Sequence, residues 1–382
     1  AFYECVNLTA VELPDTLEYI AHNAFEKCVK LTAITVPGGV TRIEGSAFDE
    51  CHKLAKIQVD GSNTAYSSDS YGVLFNKDKT TLLECPQGFQ GTYAIPGTVT
   101  AIRDSAFYNC DGLTAVTISG SVTSIGNSTF SNCDGLTEIT IPGNVISVAG
   151  SAFSDCDNLV TAKINDGVIL LGNWVFSSCD KLSNVTLSRT IGKLGEYTFH
   201  SCDSLTSITI PDSVQHIDRC ALDSYNLTNV TFEGDAPVIE QDAFGSYRSL
   251  SVYYPEGNDT WTEEVRNTSY GQNLTITWEA VKMEQKPQVD VPLHAVAEGT
   301  LQDNVGWKLM SDGVLTITGS GDMYFDWNAE IRVPWSPYAA SIKKVVIEEG
   351  VTSVEQDAFY ECVNLTAVEL PDTLEYIAHN AF

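Results

Sequence analysis

The side chains with most chemical potential in this 382-residue sequence are its eleven cysteines. A thiolate is a nucleophile, a metal ligand and one half of a disulfide. Spacing decides among these roles. Cys5, Cys28 and Cys51 recur with a period of 23, and so do Cys110, Cys133, Cys156, Cys179 and Cys202, with Cys362 in the same slot later. No C-x-x-C pair occurs, so the usual zinc-binding spacing is missing. Equivalent cysteines on stacked units would sit one strand spacing apart, roughly 4.8 Å. Their side chains would then run parallel, whereas a disulfide needs them directed at each other. The pattern is read as a ladder of buried, reduced thiols acting as small hydrophobes. Cys85 and Cys220 fall off the ladder, and the spacing leaves their redox state open. The six histidines are scattered. His216 and Cys220 are four apart on a turn and make a poor ligand pair. "NKDKTTLLE" lacks the sixth-position Gly and twelfth-position Glu of a calcium loop. No nucleophile-elbow, Walker or dinucleotide-binding motif appears. No catalytic residue, metal or cofactor is assigned, and the chain is expected not to be an enzyme.

The elements that carry the cysteines repeat. Ala-Phe or a close relative falls at Ala24-Phe25, Ala47-Phe48, Ala106-Phe107, Thr129-Phe130, Ala152-Phe153, Val175-Phe176, Thr198-Phe199 and Ala221-Leu222. The unit reads A-F-x-x-C-x-x-L-x-x-I-x-I-P, then V-x-x-I before the next A-F. The L-x-x-I-x-I segment is β-branched and ends at Pro or Gly, which predicts a strand and a turn. One such strand cannot bury its apolar face, but stacked units can, with Leu113, Val116 and Ile118 over Leu136, Ile139 and Ile141. Every unit travels the same way, so the sheet must be parallel. The second apolar pair, such as Val122 and Ile125, closes the coil.

This pattern resembles the BspA-like, or Treponema-type, leucine-rich repeat over nearly the whole chain. The resemblance implies an α/β-type but β-rich solenoid, right-handed, with a parallel concave sheet and 23-residue repeats. It also implies a secreted or cell-surface location, and adhesion in several relatives.

The period breaks in two places. Residues 71–83 hold "GVLFNKDKTTLL", two apolar runs around a polar tip, which predicts a β-hairpin projecting from the solenoid. After Ala221 the spacing decays, so residues 233–280 read as a C-terminal cap on an array spanning 1–280. The polar, proline-containing residues 281–292 read as a linker. Residues 293–382 read as an N-terminal cap and the first repeats of a second array. Five of the six tryptophans, Trp261, Trp278, Trp307, Trp327 and Trp335, fall in these caps. Residues 1–25 and 358–382 are identical, which points to duplication and to a longer native chain. Both ends open on unfinished rungs, so end-to-end self-contact is expected.

Formal charge is −29. That field repels phosphate backbones and anionic membrane surfaces, which excludes a nucleic-acid role, and no apolar run is long enough for membrane insertion. On this acidic protein one outward stripe is mostly neutral: Glu12, Thr35, Gln58, Thr117, Thr140, Lys163, Thr186, Thr209 and Thr231. Threonine suits a pleated surface in any case. The stripe is also the candidate ligand-binding surface, for a host or neighbouring-cell surface protein or glycan. The reading is a non-catalytic binding or adhesion module; the alternative is a structural spacer presenting another domain.

Overall fold

The computed structural model describes residues 1–246, 248–283, 295–301, 304–310, 313–325, 333–360, 362 and 365–382. The chain forms two compact units, Ala1–Gln285 and Lys286–Phe382. Residues 284–292 of the expected linker, and Trp327, lie outside the described residues.

In the first unit each turn lays one strand on each of two sides. On one side Glu138–Ile141, Thr161–Ile164 and Asn184–Thr186 run parallel, with Ile139 opposite Ala162 and Ala162 opposite Val185. Ile139 and Ile141 point inward and Thr140 outward, as a two-residue period requires. On the other side the two-residue strands Ala101–Ile102, Ser124–Ile125, Ser147–Val148, Leu170–Leu171, Lys193–Leu194, His216–Ile217 and Val238–Ile239 stack in parallel. These are the second apolar pairs of the repeat. Their buried members close the core.

The A-F-x-x-C segment is a turn, not a helix. It needs two left-handed residues, one before Ala-Phe and one before Cys. Ser128, Asn132, Ser151 and Asp155 supply them, with φ of 50°, 56°, 55° and 56°. Short polar side chains, Asn and Asp above all, tolerate that conformation by bonding locally. Between these two bends the phenylalanine points inward. Phe107, Phe130, Phe153, Phe176 and Phe199 form one stack, with centroids 4.8, 5.1, 5.4 and 5.6 Å apart.

The expected hairpin forms, Leu74–Asn76 against Thr81–Glu84, but it does not project from the solenoid. Leu74–Asn76 pairs antiparallel with both Tyr66–Ser68 and Thr81–Glu84. Thr81–Glu84 then pairs parallel with Ala101–Ile102, so the segment occupies a rung of the sheet. Val73, Phe75 and Leu82 are fully buried. Burying those three side chains stabilises an inserted rung by several kcal/mol, on the order of 2 each. A projecting hairpin would forgo that.

From Ser207–Ile210 the parallel sheet continues beyond Ala221 through Asn229–Phe232, Ser249–Pro255 and Thr275–Val281. The short helix Glu263–Asn267 crosses before the last strand. Trp261 packs on Phe232, Tyr254 and Trp278 and is buried. In the second unit Ala295–Thr300, Val305–Met310 and Val314–Gly319 form an antiparallel meander. Lys344–Ile347 and Ala367–Glu369 extend it in parallel. Trp335 is fully buried on Phe359 and donates its indole N–H to Ala358 O at 2.8 Å.

Candidate functional site

All eleven cysteines are free thiols. Cys28, Cys51, Cys110, Cys133, Cys156, Cys179 and Cys202 are fully buried, and Cys362 is buried too. The A-F-x-x-C spacing has a hydrogen-bond reason. Cys133 Sγ donates to Phe107 O, Cys156 to Phe130 O and Cys179 to Phe153 O, each at 3.1 Å, and Cys202 to Phe176 O at 3.0 Å. Each of these four thiols thus ties its rung to the preceding phenylalanine carbonyl, whereas Cys110 donates to Cys85 O. On the rung after Cys202, Ser224 Oγ donates to Phe199 O in the same manner. Burial holds the Cys51, Cys133, Cys179 and Cys202 thiols protonated, pushing Cys51 and Cys202 up to about 12. Protonated, buried sulfur is neither nucleophile nor ligand. Off the ladder, Cys85 and Cys220 are buried as well.

Cys5 departs from the expectation: it is exposed. Its counterpart Cys362 belongs to the same duplicated sequence and is buried. The difference is the neighbour. Ahead of Cys362, Trp335 packs against Phe359 of its rung. The rung of Cys5 packs on the following one, with Phe2 stacked on Phe25 at 5.2 Å.

The outward stripe is present. Thr117, Thr140, Lys163, Thr186 and Thr209 are exposed, and Thr231 is half-buried. Thr140, Lys163 and Thr186 are in register on three paired strands. Thr209 and Thr231 are in register on the next sheet, followed by Tyr253 and Glu279. Thr117 lies opposite Ala94 on a separate pair. The stripe is therefore laid over several sheet segments, with rungs roughly 4.8 Å apart within each.

A second outward feature lies on the turn side. Trp174 and Tyr197 occupy the left-handed position before the Ala-Phe slot, with φ of 63° and 56°. Their rings stack at 3.9 Å with an interplanar angle of 11°, and His200 stands edge-on to both at 6.1 and 5.4 Å. Trp174 is 40% exposed. Bulky residues pay roughly 1–2 kcal/mol to sit there, so the pair is held against its backbone preference.

The sequence pattern of the BspA type leucine rich repeat region, in six copies, matches residues 1–88, 89–202, 123–251 and 337–382. The chain belongs to this BspA-type leucine-rich-repeat family. Among solved structures it is similar to a leucine-rich repeat protein of Eubacterium ventriosum, with 27% identity and TM-score 0.39, covering 48% of this chain and 56% of that one. It is also similar to the pneumococcal vaccine antigen PcpA, with 18% identity and TM-score 0.49, covering 69% of this chain and 67% of that one. The T. pallidum leucine rich repeat protein has 20% identity and TM-score 0.41, covering 57% of this chain and 99% of that one. This chain spans little more than half of the Eubacterium protein. No curated protein sequence matches it.

In a BspA-type array the aromatic pair has a sequence signal that apolar periodicity passes over. Trp174 is the sixth tryptophan, inside the regular array rather than in a cap. Aligning the slot before Ala-Phe gives Asn23, Ser46, Ser105, Ser128, Ser151, Trp174, Tyr197 and Cys220. Two consecutive aromatics break a run of small polar residues. Among the described residues no helix is long and apolar enough to cross a membrane.

Proposed function

We propose that this chain is a non-catalytic recognition module of an extracellular or cell-surface protein, binding a surface protein or glycan across several rungs of the longer-strand sheet. The observation that carries this is the register of Thr140, Lys163 and Thr186, all exposed, continued by Thr209 on the next sheet. A flat threonine face offers weak contacts per rung, so affinity has to accumulate along the array, and tandem arrays add avidity through effective concentration. Family membership supports the reading. The test is Thr140→Glu with Thr186→Glu and Thr209→Glu, assayed against immobilised matrix proteins and a glycan array. Lys163 lies between the first two positions, so the new carboxylates meet a cation and the sheet tolerates them. Equal binding by parent and variant to every ligand the parent captures rejects the sheet face.

A second reading rests on the Trp174–Tyr197 pair. An exposed indole beside polar neighbours suits the apolar face of a neutral pyranose ring. If glycan capture survives the threonine changes and is lost in Trp174→Asn, the turn side is the glycan site. Asparagine keeps the left-handed backbone accessible.

A further inference from the structure

Another group of side chains lies on the side of the short strands and plays no part in the recognition surfaces. His216, Asp218 and Glu240 bring one nitrogen and two carboxylate oxygens to within 4.8 Å of one another. His216 Nε2 is 3.8 Å from Asp218 Oδ1 and 3.7 Å from Glu240 Oε1. Parallel pairing of His216–Ile217 with Val238–Ile239 places these residues on adjacent rungs. His216 and Asp218 sit two apart on one rung, and Glu240 follows the strand of the next.

Two details separate this from a chance acidic cluster. Asp218 is only 5% exposed, and its Oδ1, the oxygen facing His216, has no hydrogen-bond partner. Lys193 Nζ holds the other oxygen, Oδ2, at 2.8 Å, so one cation is already spent and Oδ1 still lacks a hydrogen bond. An unpaired buried carboxylate oxygen costs on the order of 1–3 kcal/mol or more. Glu240, for its part, is anchored. Its Oε2 accepts from the Arg219 backbone N–H at 3.1 Å, which leaves Oε1 turned to His216. A fixed carboxylate, a buried oxygen without a donor and an imidazole nitrogen at one point make a ligand set.

We propose that His216 Nε2, Asp218 Oδ1 and Glu240 Oε1 bind one divalent transition cation of the Zn2+ type. Imidazole with carboxylates suits such an ion, and three protein ligands leave a fourth position for water. Small side-chain rotations bring the three ligand atoms to the roughly 2.0–2.2 Å bond lengths of that ion. The net local charge is favourable: two carboxylates and one ammonium leave an excess negative charge, inside a chain of formal charge −29. The consequence is a staple between adjacent rungs, placed where the period shortens and the array approaches its last turns.

The experiment uses the full chain in a Cys5→Ser background, which removes the exposed thiol as a rival ligand. After chelator treatment and dialysis, Zn2+ is titrated by calorimetry, and Co2+ is added separately to read visible d–d absorption. The expected result is one equivalent of Zn2+ bound, a rise in Tm with added Zn2+, and a d–d spectrum of nitrogen and oxygen ligation. His216→Ala and Glu240→Gln each weaken binding by about tenfold or more and remove the Tm rise. Glu240→Gln keeps an oxygen for the Arg219 amide, so its fold serves as the control for His216→Ala. Absence of saturable one-equivalent binding in the parent, or binding unchanged in both variants, overturns the assignment.

Discussion

Truncating Phe153 to alanine should measure what the ring stack contributes to the array. Phe153 is fully buried between Phe130 at 5.1 Å and Phe176 at 5.4 Å. Removing a buried Phe side chain costs roughly 3–5 kcal/mol, the spread depending on how far the site collapses. Here collapse is resisted from both sides, because each neighbouring ring is held by its own stacked partner. The expected loss is therefore at the top of that range, ~4–5 kcal/mol. Phe2 makes the same kind of contact only once, with Phe25 at 5.2 Å, and is half-buried. Phe2→Ala should cost about 1–2 kcal/mol, scaled to the area it removes from water. Phe153→Leu should cost far less than Phe153→Ala, near ~1–1.5 kcal/mol, since a branched aliphatic refills most of the space. Urea unfolding followed by tryptophan fluorescence and far-UV circular dichroism gives all three values. A solenoid also couples only neighbouring rungs, so a mid-array cavity should loosen cooperativity and lower the apparent m-value. Equal costs for Phe153→Ala and Phe2→Ala would refute the stack as the spine of the fold.

Asn63 is fully buried with all four hydrogen-bonding positions filled: Nδ2 donates to Pro37 O and Val40 O, and Oδ1 accepts from Ala65 N and Tyr66 N, at 2.8–2.9 Å. Asn63→Ala should cost about 3 kcal/mol or more, because several backbone groups lose their partner at once; a loss below ~1 kcal/mol in urea unfolding would contradict the network. Glu84 sits beside Asp49, and burial pushes its carboxyl up to about 8 from an ordinary 4.5. A raised folded value means the folded state keeps the proton longer, so its stability falls as pH climbs from 4.5 to about 8. Glu84→Gln abolishes that slope, and its advantage over the parent should grow by roughly 2–4 kcal/mol across the window; a pH-independent difference would count against the burial. A thiol reagent should label Cys5 first in the native protein and the ladder cysteines only after denaturation. Fast native labelling of several thiols would mean the ladder opens.

The repeat was readable because a solenoid asks the same question of each rung. Phe130, Cys133, Leu136, Ile139 and Ile141 all point inward, and the same five slots recur one period later as Phe153, Cys156, Leu159, Ala162 and Ile164. Periodicity of that kind fixes which residues face the core, the direction of the sheet and the turn between. It does not fix what depends on the neighbouring rung. Cys5 and Cys362 share an identical local sequence, yet one is exposed and one buried. Residues 71–83 carry the alternation and polar tip of a hairpin, but only the structure shows the missing rung that Val73, Phe75 and Leu82 fill.

The outward residues were readable in a narrower sense. Thr140, Lys163 and Thr186 line up because their turns keep the regular period, and counting suffices. His216, Asp218 and Glu240 defeat counting. His216 pairs with Val238, a step of 22, so the turn there is shorter by one position and Asp218 meets Glu240 rather than the residue after it. The missing position falls in the turn, and the strands on either side stay paired position for position, so counting by 23 misses Glu240 by one. Chemistry that needs side chains from two rungs is thus most easily hidden where the repeat becomes irregular. The last turns of the first unit have two demands on them at once: they cover core, and their lengths depart from the 23-residue period. In the first unit both fall between His216 and Val281, where Trp261 covers the last strands and the His216 cluster lies at a shortened turn.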